Sequence, residues 1–204
     1  PKPSSAASDV YKRQLIDRAA QRVIDGEFHD QFTVGVIQGG AGTSTNMNAN
    51  EVITNIALEL AGREKGDYAF LSPIDHTNRS QSTNDVYPTA VKIGLSLTLR
   101  SLLEELDLLR ISFLHKSHEF HDVLKVGRTQ LQDAVPMTLG QEFHGFASTL
   151  GYDHTRLTEN ASLMFEINMG ATAIGTGITT HSDYAPAVLK HPVSYTHLTL
   201  PTKA

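Results

Sequence analysis

The sequence predicts a mostly α-helical fold, long helices packed as a bundle with a smaller helical domain before them. Three observations point there. Apolar residues recur at helical spacing over long stretches, strand signals are few, and polar start signals stand at the heads of the periodic stretches.

In chain order, Val52, Ile53, Ile56, Ala57 and Leu60 fall on one helical face and set a helix over residues 48–60, with Gly62 as its stop. Residues 63–79 are polar and turn-rich, with Gly66 and Pro73, and read as a connection between layers. A long helix starts near residues 82–85. Pro88 lies within about one turn of that start, where a missing N–H does no harm. Ile93, Leu97, Leu99, Leu102, Leu103, Leu106, Leu109, Phe113 and Leu114 carry its apolar stripe towards Leu124, with Gly94 or the leucine-dense stretch as places for a break. A loop with Gly127 and Pro136 follows. Thr138 and Gln141 then form a capping box, each side chain covering the other's free N–H, and open a helix running to about Ile167. Gly170 to Gly177 is a second glycine-rich loop. The best strand candidate is residues 32–37.

Composition narrows the function. With 40% hydrophobic and 19% charged residues, the 204-residue chain is too apolar for a disordered one. A formal charge of −5 without a basic stripe gives nucleic acid little to bind. Cysteine is absent, which excludes disulfides and thiolate metal sites. No apolar run approaches a membrane span and no signal peptide is recognised, so cytoplasm is the expected compartment. Both ends resemble translated sequencing adapter: residues 1–14 are small and polar with no helical face, and residues 192–204 are rich in Thr and Pro. They are given no functional weight. The expected domains are then residues 15–79, a partial N-terminal domain, and residues 80–191, the start of a central bundle.

Three polar clusters sit at the edges of these helices. They are Gly39-Gly40-Ala41-Gly42-Thr43-Ser44-Thr45-Asn46-Met47-Asn48, placed just before a helix, Ser80-Gln81-Ser82-Thr83-Asn84-Asp85, and Gly127-Arg128-Thr129-Gln130-Leu131-Gln132-Asp133. Any one of them is an ordinary cap, because Ser, Thr, Asn and Asp are the usual residues there. Three together, with glycines permitting close backbone approach, point to a pocket for a carboxylate or phosphate. Gly40-Ala41-Gly42 lacks the third glycine of a dinucleotide motif, and no Gly-Lys-Ser/Thr follows. His115, His118 and His121 share a helix without the His-Glu-x-x-His spacing of a zinc protease, and read as solvated. His144 and His154 read as helix-surface or packing residues, and Glu104, Glu105 and Asp107 as a solvated face.

The clusters, in this order, resemble the superfamily of aspartases, class II fumarases and their relatives. Gly42-Thr43-Ser44-Thr45-Asn46-Met47-Asn48-Ala49-Asn50-Glu51-Val52 matches its first block, and Ser80 to Asp85 its substrate-binding turn. Gly127 to Pro136 matches the third block, and Gly170 to Gly177 a fourth. The resemblance runs from about Leu15 to His191. Gln38 to Ser44 and Ser82-Thr83-Asn84 favour the aspartase branch. Gln130 stands where fumarases carry histidine; Gln cannot exchange protons near neutrality, which suits expulsion of an amine better than activation of water.

The resemblance implies abstraction of the C3 proton of L-aspartate, a carbanion stabilised as a doubly charged carboxylate, and loss of ammonia to give fumarate. Thr43, Ser82, Thr83, Asn84 and Thr129 would contact the substrate, with Gln130 in a minor role. It implies no organic cofactor and no metal. It further implies a homotetramer with each active site drawn from several subunits, and a proton-abstracting serine on a Gly-Ser-Ser loop downstream of this sequence. The 204 residues alone would then be inactive. A fumarate hydratase and a non-catalytic scaffold of the same fold are the alternatives.

Overall fold

A computed structural model describes residues 5–37 and 41–189; the Gln38-Gly39-Gly40 run and the Thr- and Pro-rich end lie outside the described residues. The order is α1 (Ser5–Ile24), α2 (Thr43–Leu60), α3 (Thr83–Glu119), β1 (Leu124–Thr129), β2 (Gln132–Thr138), α4 (Leu139–Ala161) and α5 (Tyr184–Leu189). The fold is mostly α, as the periodicity predicts. The described residues form two compact units, one drawn from residues up to Val91 and from Ile167 onward, the other from Lys92 to Glu166.

In the first unit, Leu15 and Ala19 of α1, one turn apart, bury against Ile56, Ala57 and Leu58 of α2 and against Leu71. Residues 5–14, read as lacking a helical face, are helical from Ser5. A stretch with no apolar face still extends a helix that its neighbours have nucleated, because each added residue gains a hydrogen bond without repeating the nucleation cost. α2 starts at Thr43, five residues before the predicted start, and stops where expected, with Gly62 left-handed at φ 70°. Residues 32–37 form no strand. In the connection, a single π-helical turn, Pro73–Thr77, is capped by Ser72 Oγ, which accepts from the N–H groups of Ile74 and Asp75.

α3 runs 37 residues without a break at Gly94 and ends at Glu119, short of Leu124. Pro88 is its sixth residue, so a helical donor is lost after all: the N–H that should reach the carbonyl of Asn84. Asn168 fills the gap, its Nδ2 donating to that carbonyl at 2.9 Å.

In the second unit, the segment read as a loop is an antiparallel hairpin, pairing Leu124 with Thr138 and Thr129 with Gln132, with an irregularity at Gly127. Its two-residue turn is Gln130-Leu131, both left-handed at φ 50° and 61°. The capping box at Thr138 and Gln141 forms as predicted, at 3.0 and 3.1 Å. α4 ends at Ala161 rather than near Ile167, tightening into a 3-10 turn over Ser162–Phe165. The end of α3 and the start of α4 satisfy each other's free groups: Leu139 N–H donates to the Val123 carbonyl at 2.8 Å, and Gly140 N–H to that of Phe120 at 2.9 Å. Phe113, Phe120, Phe143 and Phe146 pack beside this junction.

The junction demands a glycine. A Cβ at position 140 would stand 2.4 Å from the Ser117 carbonyl oxygen, whereas one at position 145, in the same helix, meets nothing within 4 Å. Gly140→Ala is therefore expected to destabilise the chain by about 1–3 kcal/mol through overpacking. Gly145→Ala is expected to stabilise it by about 0.5–1 kcal/mol through helix propensity. Urea unfolding of both variants checks the pair, and shifts of the same sign would refute the account of the junction.

Candidate functional site

The first unit brings two helix starts together. Asn46, one turn into α2, donates from Nδ2 to Oγ1 of Thr83, the first residue of α3, at 2.9 Å. Two positive dipole ends thus lie side by side, an arrangement that favours an anion between or before them. Around it stand Thr43, the first residue of α2, and Ser82-Thr83-Asn84; Thr43 and Asn84 are exposed and Ser82 and Thr83 half-buried. No side chain caps α2. Its N-cap is Gly42 at φ 88°, where a Cβ would lie 2.4 Å from the ring of Tyr87, so the residue must be glycine on both counts.

One carboxylate organises the start of α3. Asp85 is 0% exposed and accepts from the Ser82 N–H at Oδ1 and the Thr172 N–H at Oδ2, each at 2.9 Å. Thr172 is itself left-handed at φ 60°, a conformation that a β-branched residue adopts only when its surroundings impose it. Asn84 adds a third tie, Nδ2 donating to the Ala173 carbonyl at 2.8 Å. The glycine-rich loop of residues 170–177 is thereby fastened to the site. Nearby, burial pushes the Tyr184 phenol above its ordinary range; the Gln81 side chain opposes the shift and the Asp85 charge adds to it. Burial also pushes the His76 imidazole down, helped by the charge of Lys12, while its Nδ1 accepts from the Ser72 N–H at 2.9 Å.

Of the six residues singled out by sequence, Thr43, Ser82, Thr83 and Asn84 belong to one unit, with Thr43 one turn before Asn46, which bonds to Thr83. Thr129 and Gln130 belong to the other unit. The third polar cluster is not at a helix start: it forms the end of β1, the turn and the start of β2, with Thr129 and Gln130 exposed and Leu131 at the tip. His115, His118 and His121 are exposed on α3 or just after it, His144 is exposed and His154 half-buried. Sequence reasoning missed the part played by Asn46, Asn50, Asn78 and Thr172. The available signal was Asn46 and Asn50, polar residues one helical turn apart before an apolar stripe.

A model of the lyase family matches residues 5–203. The aspartate ammonia-lyase of Pseudomonas aeruginosa is 59% identical over 174 residues, covering 85% of this chain and 37% of that protein. That of Bacillus subtilis is 51% identical over 178 residues, covering 87% and 38%. Among solved structures, a cobalt-bound fumarate lyase:delta crystallin from Brucella melitensis matches with a TM-score of 0.83 at 50% identity, over 95% of this chain and 42% of that one. A class II fumarase from Schistosoma mansoni matches at 0.71 and 32%, over 93% and 42%. The chain spans a little over a third of the length of the curated relatives.

The Asp85 contacts generate a test of this geometry. Asp85→Asn keeps the shape but turns an amide N–H₂ against one of the two backbone N–H groups, leaving it unpaired in the interior. The expected loss is about 1–3 kcal/mol, read from the chemical denaturation midpoint. An unchanged midpoint would mean that the carboxylate does not hold the start of α3.

Proposed function

The chain belongs to the lyase family whose model spans it, and from this we propose that the complete protein is an aspartate ammonia-lyase, converting L-aspartate to fumarate and ammonia. The observation that carries the reading is the 59% identity to an aspartate ammonia-lyase, supported by the hydrogen bond from Asn46 near the start of α2 to Thr83 at the start of α3. A fumarase reading has less support, since Gln130 stands where fumarases carry histidine and the identity to the class II fumarase of Schistosoma mansoni is 32%.

In the proposed reaction a base takes the C3 proton. The electron pair left behind delocalises into the adjacent carboxylate, which gains a second negative charge. That pair then forms the C2=C3 double bond as the C2–N bond breaks, and the amine, already protonated as an ammonium group, leaves with its bonding electrons as neutral ammonia. The donors suited to the transient charge are neutral: the hydroxyls of Thr43, Ser82 and Thr83, the amide of Asn84, the dipoles of α2 and α3 and, in the assembled protein, the hydroxyl of Thr129. Placed so, they strengthen most as the charge develops. None of these groups is a fitting base, and we assign that role to a serine on a segment outside this sequence. Neither an organic cofactor nor a metal enters the scheme, and the cytoplasm is the compartment we assign. No helix among the described residues is long and apolar enough to cross a membrane.

Self-association as a homotetramer belongs to the same proposal. Of the 37 residues of α3 only Asp85 and Thr89 are buried, and Leu95, Leu97, Leu102, Leu108 and Leu109 are exposed, an apolar surface that calls for cover. Copies packed along α3 would complete each site with groups from several chains, and the present 204 residues alone would be inactive.

The test is to assay the complete gene product with L-aspartate and with L-malate, following fumarate. Aspartate is expected to be consumed and malate left essentially untouched; comparable turnover of malate would move the assignment to a fumarase. Thr129→Val, which keeps the volume and removes the hydroxyl, is expected to lower kcat/KM by about 10²–10³ with little change in Tm. His118→Ala, exposed on α3, is expected to be silent. The reverse pattern would place the site elsewhere.

A further inference from the structure

The half-buried hydroxyl of Thr83 is the end of a chain of amides whose orientations are fixed one from the next. At one end the Gln81 carbonyl, which can only accept, takes a hydrogen bond from Asn78 Nδ2 at 3.4 Å. Asn78 therefore presents Oδ1 on its other side. That oxygen lies 3.1 Å from Asn50 Nδ2 and 3.4 Å from Asn46 Nδ2. A second anchor agrees: Asn50 Nδ2 also lies 3.9 Å from the Met47 sulfur, an atom with no proton to give. With its nitrogen so placed, Asn46 spends its second N–H on Thr83 Oγ1 at 2.9 Å. Asn46 and Asn50 are 8% and 5% exposed, so water does not compete for these bonds.

A hydroxyl has one proton and two lone pairs. Receiving Asn46 on a lone pair frees the Thr83 proton to point elsewhere, and a bond received strengthens the bond given, since successive hydrogen bonds polarise one another. We propose that Asn46, oriented through Asn78 and Asn50, is a positioning residue that makes the Thr83 hydroxyl an obligate donor towards a substrate carboxylate. The inference rests on the reading of Thr83 as a substrate contact and deepens it. Asn46 itself need not touch the substrate.

The experiment is a double-mutant cycle in the complete protein with Asn46→Ala, Thr83→Val and both together. It reads kcat and KM for L-aspartate, the Kd of fumarate by calorimetry, and Tm for folding. Asn46→Ala is expected to lower kcat/KM about tenfold, the scale of one hydrogen bond to a charged group, with most of the loss in kcat. In the Thr83→Val background it is expected to cost nothing more. Asn46→Asp, of the same shape but only able to accept, turns the Thr83 proton away from the substrate and is expected to cost more than Asn46→Ala; it carries the cycle if the alanine variant does not fold. Equal losses in both backgrounds, or a silent Asn46→Asp, would overturn the inference. If the wild type binds fumarate without deaminating aspartate, the functional reading fails, and the cycle in Kd decides the role of Asn46 by the same additivity criterion. A protein that binds no dicarboxylate overturns both.

Discussion

Asp85 sits where a carboxylate has no water to share its charge with, and taking such a group out of water is tolerable only if other dipoles replace it. Here two backbone N–H groups do so, one from the residue three positions earlier and one from a loop 87 residues further on. A single side chain thus fixes where the longest helix begins, how Ser82-Thr83-Asn84 is presented, and where the glycine-rich loop returns. Thr172, whose N–H reaches Asp85, does so from a strained left-handed backbone. Asn84 and Asn168 then lace the neighbouring carbonyls, one of them orphaned by Pro88.

The second constraint is electrostatic. Two helices that start side by side bring like partial charges together, and that is favourable only if something negative is near. Within the protein the Asp85 carboxylate meets part of the need from the first turn of α3. α2 has no acidic residue in its first turn, and its N-cap, Gly42 under the Tyr87 ring, has no side chain to cap it.

Elements governed by short-range chemistry were legible in the sequence. The capping box at Thr138 and Gln141 is local, and so is the stop at Gly62. The start of α2 was misjudged because its first two turns carry polar residues: one face delivers Asn46 and Asn50 to a buried amide network instead of apolar residues to a core, so apolar periodicity begins only at Val52. The hairpin was missed for a related reason. Its strands are mostly exposed and show no alternation, and its turn lacks the Asn-Gly pair that such turns favour. Residues 32–37 have strand composition, yet no strand forms over them among the described residues. α4 was drawn too long because Leu163, Met164 and Phe165 continue the apolar pattern through a tighter turn. In the site, Thr43, Ser82, Thr83 and Asn84 could be read as a motif. The partners that orient them could not, since Asn46 to Thr83 spans 37 residues and Asp85 to Thr172 spans 87.

The discontinuity of the first unit bears on how the chain is made. Its two pieces are separated by the whole of the second unit, so the carbonyl of Asn84 and the second oxygen of Asp85 have no partners when residues 84 and 85 leave the ribosome. At roughly 5–20 residues per second, the 87 residues between Asp85 and Thr172 take about 4–17 seconds to appear. The second unit, Lys92 to Glu166, is made within that interval and has all its parts before Thr172 completes the first. The nascent protein therefore carries an unfinished start of α3 past a finished hairpin, and Asn84 and Asp85 find their last partners only after residues made much later.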